Sequence, residues 1–392
     1  SSDVCSSDLK KINVYLMYII AFLQGLVFYG PIATLYRQSR GLSMYNIFLI
    51  ESIFMILMLL FEIPWGWFAD KYGYKITLLM GNFLLFISKI VFYEANSFLL
   101  FLVEGILVAL ATSAISGCDI ALLYSSTNKE KTEKVFGMYT AMGIAGFLLA
   151  CLLSTKMVER SMDLTAFGTI IPYGLAVILT FFIKDVFHNL EKKPSIKDSI
   201  RDVLNNKQII IIVVVFALIS ETTHSIGVFL NQPQYLKSGI GMRYFGLLTA
   251  LMQIVCLISA KSYKFTGRFG QNKTTKVLLI NILVGCAVLI YTRNPIISVV
   301  AIAVTQGCFS IIRPIILDIE NKSINTSNRA TMLSIYAMAG DILSSIVNIS
   351  IGKFADVSIE AAFKACTFIS IAAFALALIY FNKAKMNSAN SN

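Results

Sequence analysis

Glu221 and His224 stand three residues apart in a mostly apolar run, 208–230. A helix puts positions i and i+3 on one face, so a carboxyl and an imidazole meet there. Such a pair can hold a proton and relay it; a hydrogen-bonded pair that ties two helices together has the same signature. Glu221 lies 13 residues into the run, about 20 Å along a helix that rises 1.5 Å per residue. Other polar groups interrupt similar runs. Glu104, within 97–124, can take a cationic group or a proton, or pair with Lys89; Asp119, nearer the far end, suits an ion pair with Lys71 or Lys75. Gln306 and Arg313 share the run 295–317. That arginine can attract an anion, neutralise Asp318 or reach toward the surface along its apolar stem. Gln24 and Tyr29, in 12–36, offer hydrogen bonds to a bound molecule or to a neighbouring helix. Several familiar chemistries are missing. There is no G-x-x-x-x-G-K-(S/T) loop and no H-E-x-x-H pair. The seven cysteines stand singly without a CxxC or Cys/His pattern, which argues against a zinc site or a disulfide framework. Neither an enzyme nor a bound cofactor is expected.

The elements that carry these groups follow from composition. The chain has 392 residues, 57% of them hydrophobic and 14% charged, with a mean hydropathy of +0.73. Soluble domains run roughly 45–50% apolar and about 25% charged, and no globular interior hides this much apolar surface. An apolar helix of about 20 residues spans a bilayer core, and twelve such runs are present: 12–36, 44–68, 76–95, 97–124, 135–155, 165–183, 208–230, 244–260, 277–291, 295–317, 331–351 and 359–381. The ninth is the weakest. The expected fold is an all-α membrane protein of two six-helix bundles, 10–183 and 208–381, joined by a linker, 184–207, and followed by a tail, 382–392. Residues 1–9, SSDVCSSDL, resemble translated sequencing adapter and are set aside as an expected artefact.

Orientation follows from Lys and Arg. With the N-terminus inside, only eight of the 33 basic residues fall outside: Arg37, Arg40, Lys156, Arg160, Lys237, Arg243, Arg293 and Lys353. Three more, Lys89, Arg313 and Lys364, lie within spans. Both termini and the linker are therefore expected on the cytoplasmic side of a cell membrane. The net charge of +11 marks topology and contact with anionic lipid, with no nucleic-acid partner. In the linker, Lys192, Lys193, Lys197, Arg201 and Lys207 alternate with Ile196, Ile200 and Val203. That pattern suits an amphipathic helix on the membrane surface or a plain solvated connector.

Between the second and third runs stands Gly66-Trp67-Phe68-Ala69-Asp70-Lys71-Tyr72-Gly73-Tyr74-Lys75. It resembles the loop signature of the major facilitator superfamily, G-x-x-x-D-(R/K)-x-G-x-(R/K), at the loop where that family carries it. Physically, Gly66 allows close helix packing, Asp70 is an anion suited to a helix N-terminus, and Gly73 permits a tight reversal. Gly267-Arg268-Phe269-Gly270 echoes the motif in the second half, at nearly the same distance from the start of its run. The resemblance implies that Asp70 latches onto the start of the eleventh helix, near Arg329, with Lys71, Lys75 and Asp119 in the same gate. It also implies a cavity lined by helices 1, 4, 7 and 10, which makes Gln24, Tyr29, Glu104, Glu221, His224, Gln306 and Arg313 its candidate lining.

The implied function is secondary transport of a small molecule by alternating access. Coupling to protons and efflux of amphipathic compounds are expected, after the drug-efflux-like bacterial members, with the protein acting as a monomer. Two departures favour other readings. Span 4 lacks the arginine often tied to proton coupling, and span 5 has Gly137, Gly143 and Gly146 without the proline of antiporters. An uncoupled facilitator, or a non-transporting sensor that keeps the fold, stays open.

Overall fold

The computed structural model describes residues 2–127, 132–184, 207–322 and 329–390. Of the expected linker, 184–207, residues 185–206 lie outside the described residues. Among the described residues there are twelve helices long and apolar enough to cross a membrane and no β-strand. They are α1 (Lys11–Ser39), α2 (Met44–Tyr72), α3 (Tyr74–Glu94), α4 (Phe98–Ser125), α5 (Thr132–Arg160), α6 (Met162–Phe181), α7 (Ile209–Lys237), α8 (Met242–Phe269), α9 (Gln271–Tyr291), α10 (Pro295–Lys322), α11 (Met332–Val357) and α12 (Ile359–Asn382). Each corresponds to one apolar run, the weak ninth included. Several helices outlast their runs by a turn or more. The helical backbone satisfies its own hydrogen bonds, so a charged turn such as Lys156–Arg160 continues α5 beyond the apolar stretch.

The chain divides into two compact units. Unit 1 comprises Ser1–Leu42, Ile53–Glu191 and Met242–Ala250; unit 2 comprises Ser43–Ser52, Lys192–Gly241 and Leu251–Asn392. In unit 1, α3 packs on α4 and α6, and α1 packs on α5 and α6. In unit 2, α9 packs on α10 and α12, and α7 packs on α11 and α12. The second set is the first with six added to each helix number, as a parallel repeat requires. Turn chemistry repeats too. Gly73 and Gly270 have φ of 89° and 77° with extended ψ, a conformation open to glycine and strained for other residues. Each stands between two helices and starts the next one.

Close approach between α1 and α5 rests on glycine. A Cβ added at Gly146 would overlap the Phe22 carbonyl oxygen, and one at Gly25 would overlap the Gly143 carbonyl oxygen. The absent side chains let the two backbones touch, which is how membrane helices gain packing when no hydrophobic drive separates protein from lipid. At Gly66, by contrast, a Cβ would meet nothing within 4 Å, so the expected tight packing there is not what this glycine provides.

Candidate functional site

Each unit holds a polar centre where its first helix departs from α-helical geometry. In α1 the regular helix ends at Gly25 and resumes through a 3-10 turn, Gly30–Ile32, into Ala33–Ser39. Glycine tolerates the break, and Pro31 has no N–H to continue the ladder. Backbone groups freed inside a membrane protein need partners, and α6 supplies them. Tyr173 Oη donates to the Gln24 carbonyl at 2.8 Å, and the Phe28 N–H donates to Thr169 Oγ1 at 3.0 Å. The Gln24 side chain donates to Asn82 Oδ1, and Asn82 donates in turn to Thr180 Oγ1.

Beyond the break lies a charged cluster. Glu104 is 3% exposed and Lys89 is 5% exposed. Arg37 donates to Glu104 at 3.4 Å, while Lys89 Nζ donates to Tyr29 Oη at 3.0 Å. Lys89 also lies 5.1 Å from the Tyr173 ring centre, and the Arg37 guanidinium lies 5.4 Å from that of Phe92. Phe92 stacks on both Tyr29 and Tyr36. Glu104 thus pairs with Arg37 while Lys89 is held by Tyr29, both cations lying against aromatic rings, and cation–π contact supplies part of the missing solvation. The pairing expected for Glu104, with Lys89, is replaced by one with Arg37. That arginine lies just past the end of the apolar run, in a last turn that the run does not include.

In unit 2 the irregularity is a π-helical stretch, Ile226–Leu230. Pro233 explains it. Its ring crowds the carbonyl of Phe229 and it offers no N–H, so the ladder slips to the wider π spacing just upstream. Side-chain amides fill the vacated positions: Asn231 Nδ2 donates to the Gly227 carbonyl and Gln306 Nε2 to the Thr223 carbonyl, both at 2.7 Å. One turn before the π stretch sits Glu221, 2% exposed. Ser225 Oγ donates to Glu221 Oε1 at 3.0 Å, and His224 Nδ1 lies 3.7 Å from the same oxygen. The His224 side chain is 37% exposed, so this centre is open on its imidazole side. Its ring meets Phe229 edge-on. Glu51, at the start of α2 and within unit 2, acts on His224 electrostatically.

Tyr29, Gln24 and Glu104 therefore gather in unit 1, and Glu221, His224 and Gln306 in unit 2. Arg313 joins neither: it is exposed on α10. Its expected partner, Asp318, instead accepts from Lys322 at 2.6 Å and Gln271 at 2.8 Å. In the loop motif Asp70 is exposed, Gly73 makes the positive-φ turn, and Lys75 is half-buried. Lys71 lies over the rings of Trp67 and Tyr72. The Arg329 side chain lies outside the described residues. Asp119 accepts from Tyr139 Oη at 3.0 Å and from the Ile120 N–H at 2.7 Å, where an ion pair with Lys71 or Lys75 was expected. The cause is local. Gly117, at φ 80°, interrupts α4 and starts a new helix at Cys118. Asp119 thus falls in a first turn, where a carboxylate suits free N–H groups.

Sequence reasoning missed Arg37, Asn82, Thr169, Tyr173, Ser225 and Asn231. For Asn82 and Asn231 the amide within an apolar run was a usable signal. Hydroxyls carry none, because a membrane helix accommodates them by bonding its own carbonyls, as Thr180 does with Ala176.

Twelve spanning helices, in two units of like packing with irregular first helices, define a multi-pass membrane protein built from a repeat. The Major Facilitator Superfamily profile matches residues 14–348, and the chain belongs to that family. It is similar to an uncharacterized MFS-type transporter, YxaM, of Bacillus subtilis (strain 168): 25% identical over 211 residues, 51% of this chain and 53% of that protein. It is also similar to an uncharacterized MFS-type transporter, MJ1560, of Methanocaldococcus jannaschii: 28% identical over 156 residues, 37% and 40% of the two chains. The chain thus spans about half or less of the length of these relatives. Among solved structures it resembles the nucleoside transporter NupG, with a TM-score of 0.77 at 15% identity over 95% of this chain and 98% of that one. A peptide transporter, POT, in complex with sulfate gives 0.74 at 15% over 95% and 94%. A D-xylose-proton symporter gives 0.67 at 12% over 92% and 97%. At these identities the likeness shows the fold.

Proposed function

We propose that this protein is a secondary transporter that moves a small molecule across the cell membrane by alternating access, coupled to protons at Glu221 and His224. The observation that carries the coupling is a carboxyl held 2% exposed beside a partly exposed imidazole on a spanning helix. An ionisable group there costs about 2.5–3.5 kcal/mol on insertion scales and marks a functional position by default. Imidazole gives the proton a route to the open side, and Ser225 steadies the carboxylate. In unit 1, Gln24, Tyr29 and the Lys89–Glu104–Arg37 cluster offer directional groups for substrate. Asp70, Lys71 and Lys75 of the loop motif act in gating on the cytoplasmic side, where both termini lie, with Asp119 held by Tyr139 in the same unit, and the protein works as a monomer. The substrate classes of the structural relatives (nucleosides, peptides, sugars) and amphipathic compounds for efflux are the ones to test. An uncoupled facilitator is the second reading, favoured by the absence of arginine from α4.

The test is proton movement in proteoliposomes carrying a trapped pH dye, challenged with nucleosides, dipeptides, pentoses and amphipathic cations in turn. One class is expected to move protons with wild-type protein and to move none with Glu221→Gln. Substrate uptake without proton movement would favour the facilitator. Silence toward every class in both flux and proton signal would favour a sensor that keeps the fold.

A further inference from the structure

Residues Ser43–Ser52 open α2, yet they belong to unit 2, and the contacts that seat them are specific. Asn348 Nδ2 donates to both the Phe48 carbonyl and Ser52 Oγ at 2.9 Å, and Ser52 Oγ donates to the Ser345 carbonyl at 3.0 Å. The Tyr45 N–H donates to Asp356 Oδ1 at 2.9 Å. The Phe48 ring lies 4.8 Å from that of Phe229, and a Cβ on Gly352 would meet Phe48 Cβ at 2.5 Å. Ile47, Phe48 and Ser52 are each at most 1% exposed. Phe229 also meets the His224 ring edge-on, so this short arm and His224 pack on one side chain, and Glu51 of the arm acts on His224 just before the π stretch.

We propose that Glu51 is the second carboxylate of the proton site, sharing the charge of His224 with Glu221, and that the proton held there fastens the Ser43–Ser52 arm onto unit 2. The proposal rests on the reading that Glu221 and His224 exchange protons. The charge arithmetic is simple. A protonated imidazole between two carboxylates attracts both, and each attraction draws the arm inward. Loss of that proton leaves a neutral ring and two carboxylates that both act on it, whose like charges repel with no cation to offset them. Ser225 hydrogen-bonds Glu221 whatever the state of His224, so the change falls mainly on Glu51, the member carried by the arm. The ionisable groups acting here are Glu221 on α7, Glu51 on α2 and, through Glu221, the buried Cys366 thiol on α12. The elements α10 and α11 meet this part of α7 with Gln306 and Ser344, which bond the Thr223 and Ala217 carbonyls. A residue on one helix thereby reports the protonation of another.

Site-resolved alkylation tests this. Ser52→Cys is a near-isosteric change at a buried position, and its labelling by a water-soluble maleimide, read by peptide mass alongside the natural cysteines, measures how often the arm lifts. Between about pH 5.5 and about pH 8, the range over which imidazole changes charge, the labelling rate divided by that of the same cysteine in the unfolded chain at each pH, which removes the thiol's own ionisation, is expected to rise by roughly tenfold, within the usual span of site-to-site coupling. Glu51→Gln in the same background is expected to abolish that dependence, and Glu51→Asp to keep it. His224→Gln serves as a second variant with the same expected loss if Glu51→Gln folds poorly. Labelling that ignores pH, or that keeps its pH dependence in Glu51→Gln or His224→Gln, overturns the proposal. The readout needs no substrate. Absent proton-coupled transport with pH-dependent labelling would therefore sink the transport reading alone, and the reverse pattern would sink the arm alone.

Discussion

At the scale of single residues, the governing fact is the cost of charge away from water. Glu104 is buried and paired with Arg37, in a cluster that also holds the buried Lys89. Glu104→Gln strands Arg37 in an aromatic pocket, and breaking a buried pair this way costs about 3–5 kcal/mol. The variant is expected to unfold at clearly lower temperature in detergent, and Glu104→Gln with Arg37→Gln together to recover part of the loss. A double-mutant cycle on thermal unfolding measures the difference; equal stability of Glu104→Gln and wild type would show that the cluster is not held by charge. The same cost makes such residues readable beforehand. Glu104, Glu221 and His224 stood out because apolar runs do not carry charge without cause. Their partners did not stand out. Arg37 looked like a loop cation because hydropathy ends the run one residue before it, and Ser225 was one hydroxyl among many. Asp119 was paired with the wrong groups because nothing in hydropathy announces that Gly117 starts a new helix.

At the scale of elements, helix positions were legible and helix interruptions were not. Twelve apolar runs became twelve spanning helices because lipid leaves the backbone no alternative. Breaks depend on single residues: Pro31 and its glycines in α1, Pro233 in α7. Hydropathy averages over them. A proline at membrane depth is nonetheless a signal when read for the carbonyl it crowds, four residues upstream. Packing between elements gives a sharper prediction. Gly146→Ala places a methyl on the Phe22 carbonyl and is expected to cost about 1–3 kcal/mol through forced separation of α1 and α5. Gly137, on the same helix, has nothing within 4 Å of an added Cβ. Gly137→Ala is therefore expected to be neutral or stabilising by up to about 1 kcal/mol from helix propensity. Thermal unfolding of the two variants side by side checks this, and equal effects would deny the glycine contact its role.

At the scale of the whole molecule, the same packing pattern appears in both units, while the chemistry differs between them. Gly41 and Gly239, like Gly73 and Gly270, hold matching positive-φ turns. Yet the first helix of unit 1 carries Gln24 and Tyr29 where that of unit 2 carries Glu221 and His224. Duplication fixes the scaffold, and among the described residues divergence leaves the acid–imidazole pair in unit 2. On our account the two jobs are divided: α7 handles the proton, and the α1 centre handles substrate. The most direct measurement separates accumulation from exchange in proteoliposomes, using whichever substrate class moves protons. Glu221→Gln is expected to lose accumulation driven by an imposed pH gradient while keeping exchange of labelled for unlabelled substrate, because exchange needs no net proton movement. Accumulation at the wild-type level in Glu221→Gln would contradict the account at its centre.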